Sequence, residues 1–340
     1  MVRRYVAIDV RLSPSVVVAE NEAGEKAGEK VGVACIDNDL FALAEALRDA
    51  GEAPEVAIEA TCGWYWAVDV LQELGANVFL VNPSGLAWEN RRVKGDYRDC
   101  CDLLDRVRLG KLPEAWIAPH AVRELREPVR ARLVMLRTGL KAQLKAVLAK
   151  HGLRPPVKDL WGVAGPVWLD QLDLPRAHTT RVESIRDLVE VYDREIDMLG
   201  REIHRELKDD AGYRAIQAIP GVGPTIAAIM VAEIGDVGRF KSPEALCSWA
   251  GLTPKHHHCD TLVRRGRIST AGSTLVRWAA IEAVSNGRGG PKLKADYRRI
   301  AQRRPGSVAR VAVARKLVIM VFYGLGDGHI RCLAEAGKAR

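Results

Sequence analysis

Residues 94–110 read KGDYRDCCDLLDRVRLG, an acidic segment with the pattern of a helix. It places Asp96 and Asp99 three residues apart, and Asp102 and Asp105 continue the same spacing. Residues three apart are neighbours on a helix surface. Because Asp is a poor helix former, four of them on one face need solvent or a bound partner. A solvated acidic surface and a cation-binding surface both fit this spacing.

Short apolar segments upstream of this helix have the composition of buried strands. Residues 5–10 read YVAIDV and residues 55–60 read EVAIEA, and each segment carries an acid near its end, Asp9 and Glu59. Further strand patterns cover 15–20, 30–36 and 77–83, and helical patterns cover 39–51 and 62–75. The order β-β-β-α-β-α-β before the acidic helix predicts an α/β domain with a mixed sheet, and it resembles the order of the RNase H-like fold.

Two of these acids suggest a metal site. A carboxylate near the end of a core strand is costly unless it is solvated, paired or bound to a metal. In open α/β sheets, ligand sites form outside the strand ends, where Asp9 and Glu59 would lie. Mg²⁺ prefers carboxylate oxygens, and phosphodiester chemistry gains from metal ions on its attacking and leaving oxygens. Asp9, Glu59, Asp96 and Asp99 are therefore the candidate Mg²⁺ ligands and catalytic acids.

The composition is that of a chain with sizeable cores. The 340 residues predict one large domain or two to three ordinary ones, and 48% of them are hydrophobic. No apolar run reaches the roughly 18 residues of a membrane span, and MVRRYVAIDV at residues 1–10 lacks the apolar core of a signal peptide. Seven cysteines, an odd number without metal-ligand spacing, favour a reducing cytoplasm over a disulfide framework.

Positive charge is concentrated at the C-terminal end. Residues 241–340 contain 19 Lys and Arg against 6 Asp and Glu, a net charge of +13. Because the whole chain carries +8, the first 240 residues carry −5. This asymmetry predicts a nucleic-acid-binding end joined to a more acidic body, although ribosome or membrane-surface binding would give the same balance.

Residues 113–211 have a different pattern, with prolines in PEAWIAP closing the first domain and two long helical segments after it. The first helical segment is interrupted at Pro128, and the second, residues 181–207, has apolar residues at helical spacing. Two such helices pair with each other or with a second subunit. We therefore expect a long, coiled-coil-like helical region between an α/β domain at 1–112 and a mainly α C-terminal domain at 212–340.

The C-terminal domain begins with a candidate nucleic-acid contact. The segment AIPGVGPTIAAIMVAEIG, residues 218–235, has the helix–PGVGP–helix pattern of a helix-hairpin-helix motif. Gly221 and Gly223 permit a tight turn whose backbone N–H groups can contact a phosphate. An ordinary helical hairpin has the same pattern. Residues 291–329 add a basic helix, a turn and an apolar helix with one basic face.

A second candidate site lies between these segments. Its residues are His256, His257, His258 and Cys259, then Arg264, Arg265 and Arg267, then Ser269 and Ser273. Consecutive residues cannot all point at one ion, so the histidine run is a weak zinc motif. Cys259 beside histidines and arginines suits a nucleophile with a lowered pKa, and a structural or simply exposed thiol fits as well. The three arginines and Ser269 are the predicted nucleic-acid contacts.

Over nearly the whole chain, these motifs resemble the insertion sequence 110 family of transposases, the DEDD recombinases related to the Piv DNA invertases. The motifs are AIDV with Asp9, IEATCGWYW with Glu59, VKGDYRDCCDL with Asp96 and Asp99, LGKLPEAWIAP, IPGVGPTIAAIMVAEIGDVGRF, SWAGLTPKHHH, RRGRIS followed by GS, and LVRWAAIEAV. Counting back from Gly110 of the L-G-x-L-P stretch assigns the family's acid pair to Asp96 and Asp99.

The resemblance implies a RuvC-like RNase H fold whose four acids bind Mg²⁺, and helices that mediate assembly into a homodimer or homotetramer. It implies a C-terminal transposase domain whose nucleophile joins covalently to DNA. A noncoding bridge RNA would select target and donor DNA by base pairing. The expected location is the bacterial cytoplasm, in association with the nucleoid.

The sequence departs from the family at the nucleophile. The family's serine stands five residues after the proline of G-L-x-P, where Pro254 here leads to Cys259. The lysine usual after R-I-[ST] is also replaced, because Thr270 and Ala271 follow Ser269. Cys259 either acts in place of the serine, or this copy binds RNA and DNA with impaired strand exchange.

The function predicted from the sequence is a Mg²⁺-dependent DNA transposase that is guided by a bridge RNA, with residue 259 at the nucleophile position. Two alternatives stay open. One is a RuvC-like endonuclease that cuts branched DNA with metal-activated water, and the other is a non-enzymatic nucleic-acid-binding derivative. Ser269 and Ser273 are further nucleophile candidates, although the register of the motif places them elsewhere.

Overall fold

The computed structural model describes residues 4–10, 15–21, 34–36, 40–48, 52–61, 63–86, 95–130, 133–157, 159–259, 262–285 and 290–330. The chain forms two compact units, Met1–Ile117 and Ala118–Arg340. The α/β domain is expected at residues 1–112, and this boundary stays a prediction. The expected further division at residues 211/212, between a helical middle region and a C-terminal domain, stays a prediction.

A five-stranded mixed sheet forms the centre of the first unit. Its strands are β1 (Arg4–Asp9), β2 (Ser15–Asn21), β3 (Ala34–Ile36), β4 (Glu55–Glu59) and β5 (Asn77–Val81), in the order β3-β2-β1-β4-β5. β2 is antiparallel to both β1 and β3, whereas β4 is parallel to both β1 and β5. The mixed sheet expected from the sequence is therefore confirmed, and β1 lies at its centre.

Helices cover both faces of this sheet. α1 (Leu40–Arg48) and α2 (Trp64–Glu73) pack on one face, and α3 (Asp96–Arg108) packs on the other. Successive side chains of a strand point to opposite faces. Val6 and Ile8 of β1 accordingly join the core with α1 and α2, whereas Tyr5 and Ala7 join the core with α3. The acidic segment is thus a helix, as expected, and it lies on the sheet.

The second unit begins with four helices, α4 (His120–Arg130), α5 (Leu133–Lys150), α6 (Ala164–Asp170) and α7 (Arg176–Leu207). The long helices α5 and α7 pack against each other through an apolar seam of Leu144, Val147, Leu148, Val182, Ile185 and Val189. Of the two pairings that the sequence allowed, the structure shows the intramolecular one.

Pro128 does not interrupt its helix, contrary to the expectation from the sequence. It lies inside α4, which continues to Arg130. A proline removes one backbone donor and crowds the carbonyl four residues before it. The lost bond is the one from position 128 to the carbonyl of Glu124, and the helix persists around it to Arg130.

Six further helices form the main core of the second unit. They are α8 (Ala211–Gln217), α9 (Pro224–Ile234), α10 (Pro243–Trp249), α11 (Thr274–Val284), α12 (Gly290–Ala301) and α13 (Gly306–Asp327). α13 is central, because its Val313, Leu317, Val318 and Val321 are buried against the neighbouring helices. The unit is mainly helical, as expected. Within the described part of the chain, no helix combines the length and the apolar character that a membrane crossing needs.

One antiparallel hairpin interrupts the helices, formed by β6 (Pro254–Cys259) and β7 (Leu262–Ile268). The sequence pattern does not predict these strands. Strands are recognised by alternation of apolar and polar residues, and neither the histidine run nor the arginine run alternates in this way. The predicted nucleophile position therefore lies on a strand.

Candidate functional site

The first candidate site lies at the edge of the sheet where β1 and β4 end. Ile8 pairs with Ile58 in parallel register, so Asp9 and Glu59 follow at the same level of neighbouring strands. Because side chains alternate along a strand, both acids belong to the sheet face that packs against α3. Parallel pairing therefore brings together the two acids that lie 50 residues apart in the sequence.

The first turn of α3 lies at the level of these strand ends. Cys100 of α3 is buried, and its Sγ donates a weak hydrogen bond to the carbonyl oxygen of Val16, 3.7 Å away. Val16 in turn pairs with Asp9 in the sheet. Asp96 and Asp99 belong to the turn before Cys100. The helix thus brings the second pair of predicted ligands towards the edge that holds the first pair.

The aspartates of α3 do not share one face of the helix, contrary to the first reading of their spacing. Each three-residue step rotates the position by about 60°, so nine residues rotate it by about 180°. Asp105 is exposed and forms a 3.0 Å ion pair with Arg108, whereas Asp99 is half-buried. Asp96 starts the helix four residues before buried Cys100, although its side chain lies outside the described part. The helix rotation therefore places Asp96 and Asp99 on a different side of α3 from the solvated Asp105.

The pKa of Cys100 reflects the burial and the negative charge at this edge. Burial raises the pKa of its thiol to about 12, and the negative charge of Asp9 adds to the rise. The thiol is therefore protonated at neutral pH. Asp9 itself is only 8% exposed, so the edge contains a carboxylate that is largely removed from solvent.

The donor chemistry of this edge fits Mg²⁺, since Asp9, Glu59 and Asp99 all offer carboxylate oxygens. Among the residues that the structure describes, no group of three or more His, Cys, Asp and Glu side chains is arranged to hold a metal ion. The side chain of Asp96, the fourth predicted ligand, falls outside that set. The Mg²⁺ site therefore stays a prediction.

The second candidate site is the β6–β7 hairpin. Cys259 is the last residue of β6, and His257, two residues before it, pairs with Arg264. Opposed residues of an antiparallel pair share a face, and so do residues two apart on one strand. Cys259, His257 and Arg264 therefore occupy one face, and Arg265 occupies the other. Arg267, nearer the helices, is exposed, whereas the side chains of the other four lie outside the described part.

Two loops, residues 249–253 and 269–273, form what we call the hairpin base. Gly251 and Gly272 each have a φ of +68°, a conformation that side chains rarely tolerate. A Cβ on Gly272 would lie 1.7 Å from the carbonyl oxygen of Trp249. The two loops are therefore pressed together at a distance that only glycine permits.

Hydrogen bonds hold these two loops together where β6 begins and β7 ends. Arg277 Nη1 donates to the carbonyls of Ala250 and Ala271, at 3.0 and 3.1 Å. The backbone N–H of Ser269 donates to the carbonyl of Thr253 at 2.9 Å. The Ser269 hydroxyl, a predicted nucleic-acid contact, is buried and has no hydrogen-bond partner among the described residues. A phosphate could reach this hydroxyl only if the base opened.

Ser273 has a structural role. Its Oγ accepts a 3.3 Å hydrogen bond from the N–H of Val276 as the N-cap of α11, and it donates a 2.9 Å hydrogen bond to Oε2 of Glu233. Both hydrogen-bonding capacities of the hydroxyl are thereby used. This arrangement argues against Ser273 as a substitute nucleophile.

Glu233 belongs to a buried polar cluster that the sequence analysis missed. It is 4% exposed, and its backbone carbonyl accepts a 3.0 Å hydrogen bond from Nη2 of Arg126, which is 8% exposed. Nε of Arg126 donates to the neighbouring carbonyl of Ala232 at 2.8 Å. The available signal was a single acid in the apolar helix IAAIMVAEIG, because a buried charge requires partners.

Arg239 adds a second cation near this cluster. Burial lowers the pKa of its guanidinium to about 10, and the positive charge of Arg126 contributes. The guanidinium carbon lies 4.1 Å from the ring centre of Phe240 and 4.9 Å from that of Trp249. Aromatic faces stabilise a cation that has lost water. Because Trp249 belongs to the hairpin base, this contact helps to hold the base in place.

The PGVGP segment forms a tight turn between α8 and α9, as expected. Gly221 has a φ of +96°, and Gly223 is the exposed N-cap of α9. Ile219 and Val222 are buried and anchor the turn. The start of α9 is therefore exposed at this turn, where Gly223 and Thr225 carry backbone N–H groups and Pro224 carries none. The identity of this turn as a helix-hairpin-helix motif stays a prediction.

Comparison with known proteins assigns the chain to the transposases. The family described as Transposase IS116/IS110/IS902 matches residues 213–298, which include the PGVGP turn, the hairpin and most of α12. A Pseudomonas aeruginosa protein named "Probable family 20 transposase" is 30% identical over 281 residues, which cover 77% of this chain and 80% of the relative.

Two further relatives agree. The protein y4qE of Sinorhizobium fredii, which is also named as a transposase, is 27% identical over 85% of this chain and 73% of its own length. The transposase for insertion sequence element IS1328 of Yersinia enterocolitica is 24% identical over 59% of this chain and 61% of its own length. The chain belongs to the IS110 family of insertion-sequence transposases. Family membership implies DNA as its partner.

Proposed function

We propose that this transposase cleaves and exchanges DNA strands at a Mg²⁺-dependent site on the acidic edge, by which we mean Asp9, Glu59, Asp96 and Asp99. The observation that carries the proposal is the parallel register that sets Asp9 beside Glu59 under the first turn of α3. The strand order β3-β2-β1-β4-β5 supports the RuvC-like assignment. Bound Mg²⁺ would stabilise charge on the reacting phosphate oxygens.

Matched carboxylate-to-amide substitutions test this site. Asp9→Asn and Glu59→Gln should each lower Mg²⁺-dependent strand transfer on the order of 100-fold or more, because an amide no longer supplies the negative charge that holds a divalent ion. Asp105→Asn is the control, since Asp105 lies exposed on the same acidic helix and pairs with Arg108. Parental activity in the two edge variants would remove the metal-site proposal.

Cys259 is the proposed nucleophile. Its sulfur would form a bond to phosphorus, the bond from phosphorus to the deoxyribose oxygen would break, and the thiol proton would pass to that leaving oxygen. The position of Cys259 at the end of β6, on one hairpin face with His257 and Arg264, supports this role. The arginine would favour the negatively charged phosphate, and a nearby histidine would favour loss of the thiol proton.

A three-way comparison at residue 259 tests the covalent step. The parent and Cys259→Ser should yield a protein–DNA adduct that survives denaturation, and Cys259→Ala should yield none. Equal strand transfer in all three proteins would exclude the residue as nucleophile. Mg²⁺-dependent cutting of branched DNA without any adduct would instead identify a RuvC-like endonuclease. Salt-sensitive binding without strand transfer would identify an impaired derivative.

The further proposal that a noncoding bridge RNA selects the DNA rests on family membership and on the net charge of +13 in residues 241–340. Sequencing of RNA that copurifies with the protein should yield one RNA species encoded by the element. DNA that matches this RNA should then recombine, and DNA with a scrambled match should not. Absence of any enriched RNA would contradict this proposal.

We also propose a homodimer or homotetramer. Large apolar side chains remain exposed on the paired long helices, namely Val134, Met135 and Leu136 on α5 and Leu188, Val191 and Met198 on α7. Exposed apolar surface of this kind marks contact sites. Light scattering should give a multimer for the parent, and Met135→Glu with Leu188→Glu should shift it towards a monomer. A monomeric parent would contradict the assembly.

A further inference from the structure

A strongly basic surface lies on α12 and the turn that follows it. Five cations there are exposed, and none of them takes part in an ion pair within the described part of the chain: Lys292, Lys294, Arg298, Arg303 and Arg304. We call these five residues the α12 basic surface. The sequence predictions name none of them as a site residue, and the proposed function uses them only as part of the net charge of residues 241–340.

The acid within this segment is already neutralised. Asp296 Oδ2 lies 2.6 Å from Nζ of Lys316, and its Oδ1 lies 3.0 Å from Nη2 of Arg299. These two hydrogen bonds lower the pKa of the carboxyl group, so Asp296 stays ionised and stays engaged with its own partners. The positive charge of the five remaining cations is therefore uncompensated within residues 290–305.

Helix geometry arranges these cations along the outside of the unit. Leu293 is buried and turns one side of α12 to the core. Lys292 and Lys294 lie on opposite sides of that residue, and Arg298 lies on the side of Lys294. The helix rises about 14 Å from Lys292 to its end at Ala301, roughly four base-pair steps of a DNA duplex, and Arg303 and Arg304 follow in the turn.

The PGVGP turn extends this surface. A Cβ on Gly290, the first residue of α12, would lie 2.9 Å from Cγ of Pro220. α12 therefore begins in contact with the turn that exposes Gly223, Pro224 and Thr225 at the start of α9. Outward N–H groups at a helix N-terminus attract phosphate, and the neighbouring cations attract it as well.

We propose that the α12 basic surface and the turn at 220–225 together bind the sugar–phosphate backbone of duplex DNA without reading its sequence. This inference rests on the family's action on DNA. A single-strand site needs aromatic side chains on which bases stack, and the aromatic residue of α12, Tyr297, is half-buried. Exposed cations beside an N-terminal turn suit the phosphates of a duplex, which line the outside of the double helix.

A charge-matched pair of variants tests the α12 basic surface. The first replaces Lys292, Lys294, Arg298 and Arg303 by Gln. The control replaces Lys145, Lys150, Arg194 and Arg201 by Gln. These four residues are exposed on α5 and α7, so the control variant loses the same net charge as the first variant. Binding of the full chain to a 25-base-pair duplex of unrelated sequence is measured in EDTA, as a function of salt.

The first variant should bind DNA roughly 100-fold more weakly than the control near physiological salt, and its log–log salt slope should be flatter by about 3. Equal affinities of the two variants would overturn the proposal. A larger loss for an RNA duplex of the same length than for DNA would also overturn it. Because EDTA removes divalent metal, this binding result is independent of whether the acidic edge or Cys259 performs the proposed chemistry.

Substitutions at Gly223 test the turn. A Cβ there would meet no atom within 4 Å, and the φ of −83° is open to any residue. Gly223→Asn and Gly223→Asp both introduce a good N-cap residue. The two side chains have nearly the same size and differ in charge. The Asp variant should bind the duplex several-fold more weakly than the Asn variant, with equal thermal stability. Equal DNA binding by the two would remove the turn from the proposed surface.

Discussion

The acidic edge and the hairpin base place their polar groups differently with respect to the core. At the acidic edge, carboxylates follow the ends of apolar strands, and the packing beneath them is made by residues such as Ala7 and Cys100. At the hairpin base, Ser273 donates a hydrogen bond to the buried Glu233 of α9, so its hydroxyl is itself part of the packing. Polar groups at an edge are available for chemistry, whereas polar groups inside the core define its geometry. Substitutions should therefore alter activity at the edge and stability at the base.

Gly272→Ala should give the largest loss of stability. The φ of +68° and the 1.7 Å approach to the Trp249 carbonyl leave no room for a methyl group, so the second unit should lose about 3 kcal/mol or more. Gly223→Ala is the matched control, because its Cβ would enter open space. Denaturant unfolding followed by hydrogen exchange in residues 262–285 measures the effect. Similar stabilities of the two variants would show that the base is not rigid.

Ser273→Ala should have the next largest effect. It removes an N-cap and leaves the buried Glu233 carboxylate without that donor, at a cost of about 2 kcal/mol. Ser242→Ala is the control, since Ser242 caps α10 through the N–H of Ala245 and should cost about 1 kcal/mol. A double-mutant cycle with Glu233→Gln should give a coupling of at least about 0.5 kcal/mol. Zero coupling would mean that the Ser273–Glu233 bond does not support the base.

Each unit also carries a buried thiol that should make it sensitive to alkali. The fold raises the pKa of Cys100 from 9.0 to about 12 and that of Cys247 from 9.0 to about 11, in both cases mainly by burial. A raised thiol pKa contributes stability that is complete below pH 9 and is lost as the pH rises towards the folded value. Cys100→Ala should flatten the alkaline loss of stability in the first unit, and Cys247→Ala should do so in the second, over a narrower range. Parallel pH profiles of parent and variants would contradict this linkage.

The smallest effect on stability should come from the acidic edge. Glu59→Gln keeps the size of a half-exposed side chain and one of its acceptor oxygens, so the unfolding free energy should change by less than about 1 kcal/mol. Thermal unfolding of this variant beside Asp105→Asn provides the measurement. A loss as large as that of Ser273→Ala would place Glu59 among the packing residues and would remove the contrast between the two regions.

Local sequence patterns predicted most of the first unit. Apolar runs such as YVAIDV and EVAIEA form the central strands. A strand that is covered on both faces needs a nearly continuous run of apolar residues, so such a run is a clear signal. The position of Asp9 and Glu59 at the ends of neighbouring strands also agrees with the expected order of elements. The spacing of the aspartates in α3 was the weaker guide, since a step of three residues drifts around a helix with 3.6 residues per turn.

Long-range polar contacts could not be predicted from local patterns. The hairpin strands consist of polar residues on both faces, so they lack the alternation by which strands are recognised. Ser273 and Glu233 meet across 40 residues of sequence, and no periodicity relates them. Only the isolated glutamate in an apolar helix indicated that a buried partner existed.

The hydrogen bonds of Arg126 have a consequence for the order in which the chain is made. Arg126 on α4 bonds to carbonyls 106 and 107 residues later, at the end of α9. A ribosome that adds about 5–20 residues per second needs roughly 5–20 s to produce those acceptors after Arg126 has been added. During that interval, α4 lacks the partner against which its arginines are buried. The second unit therefore completes its fold late in synthesis. α4 is its first helix to be made, and it stays without its α9 contacts until residue 233 has been added.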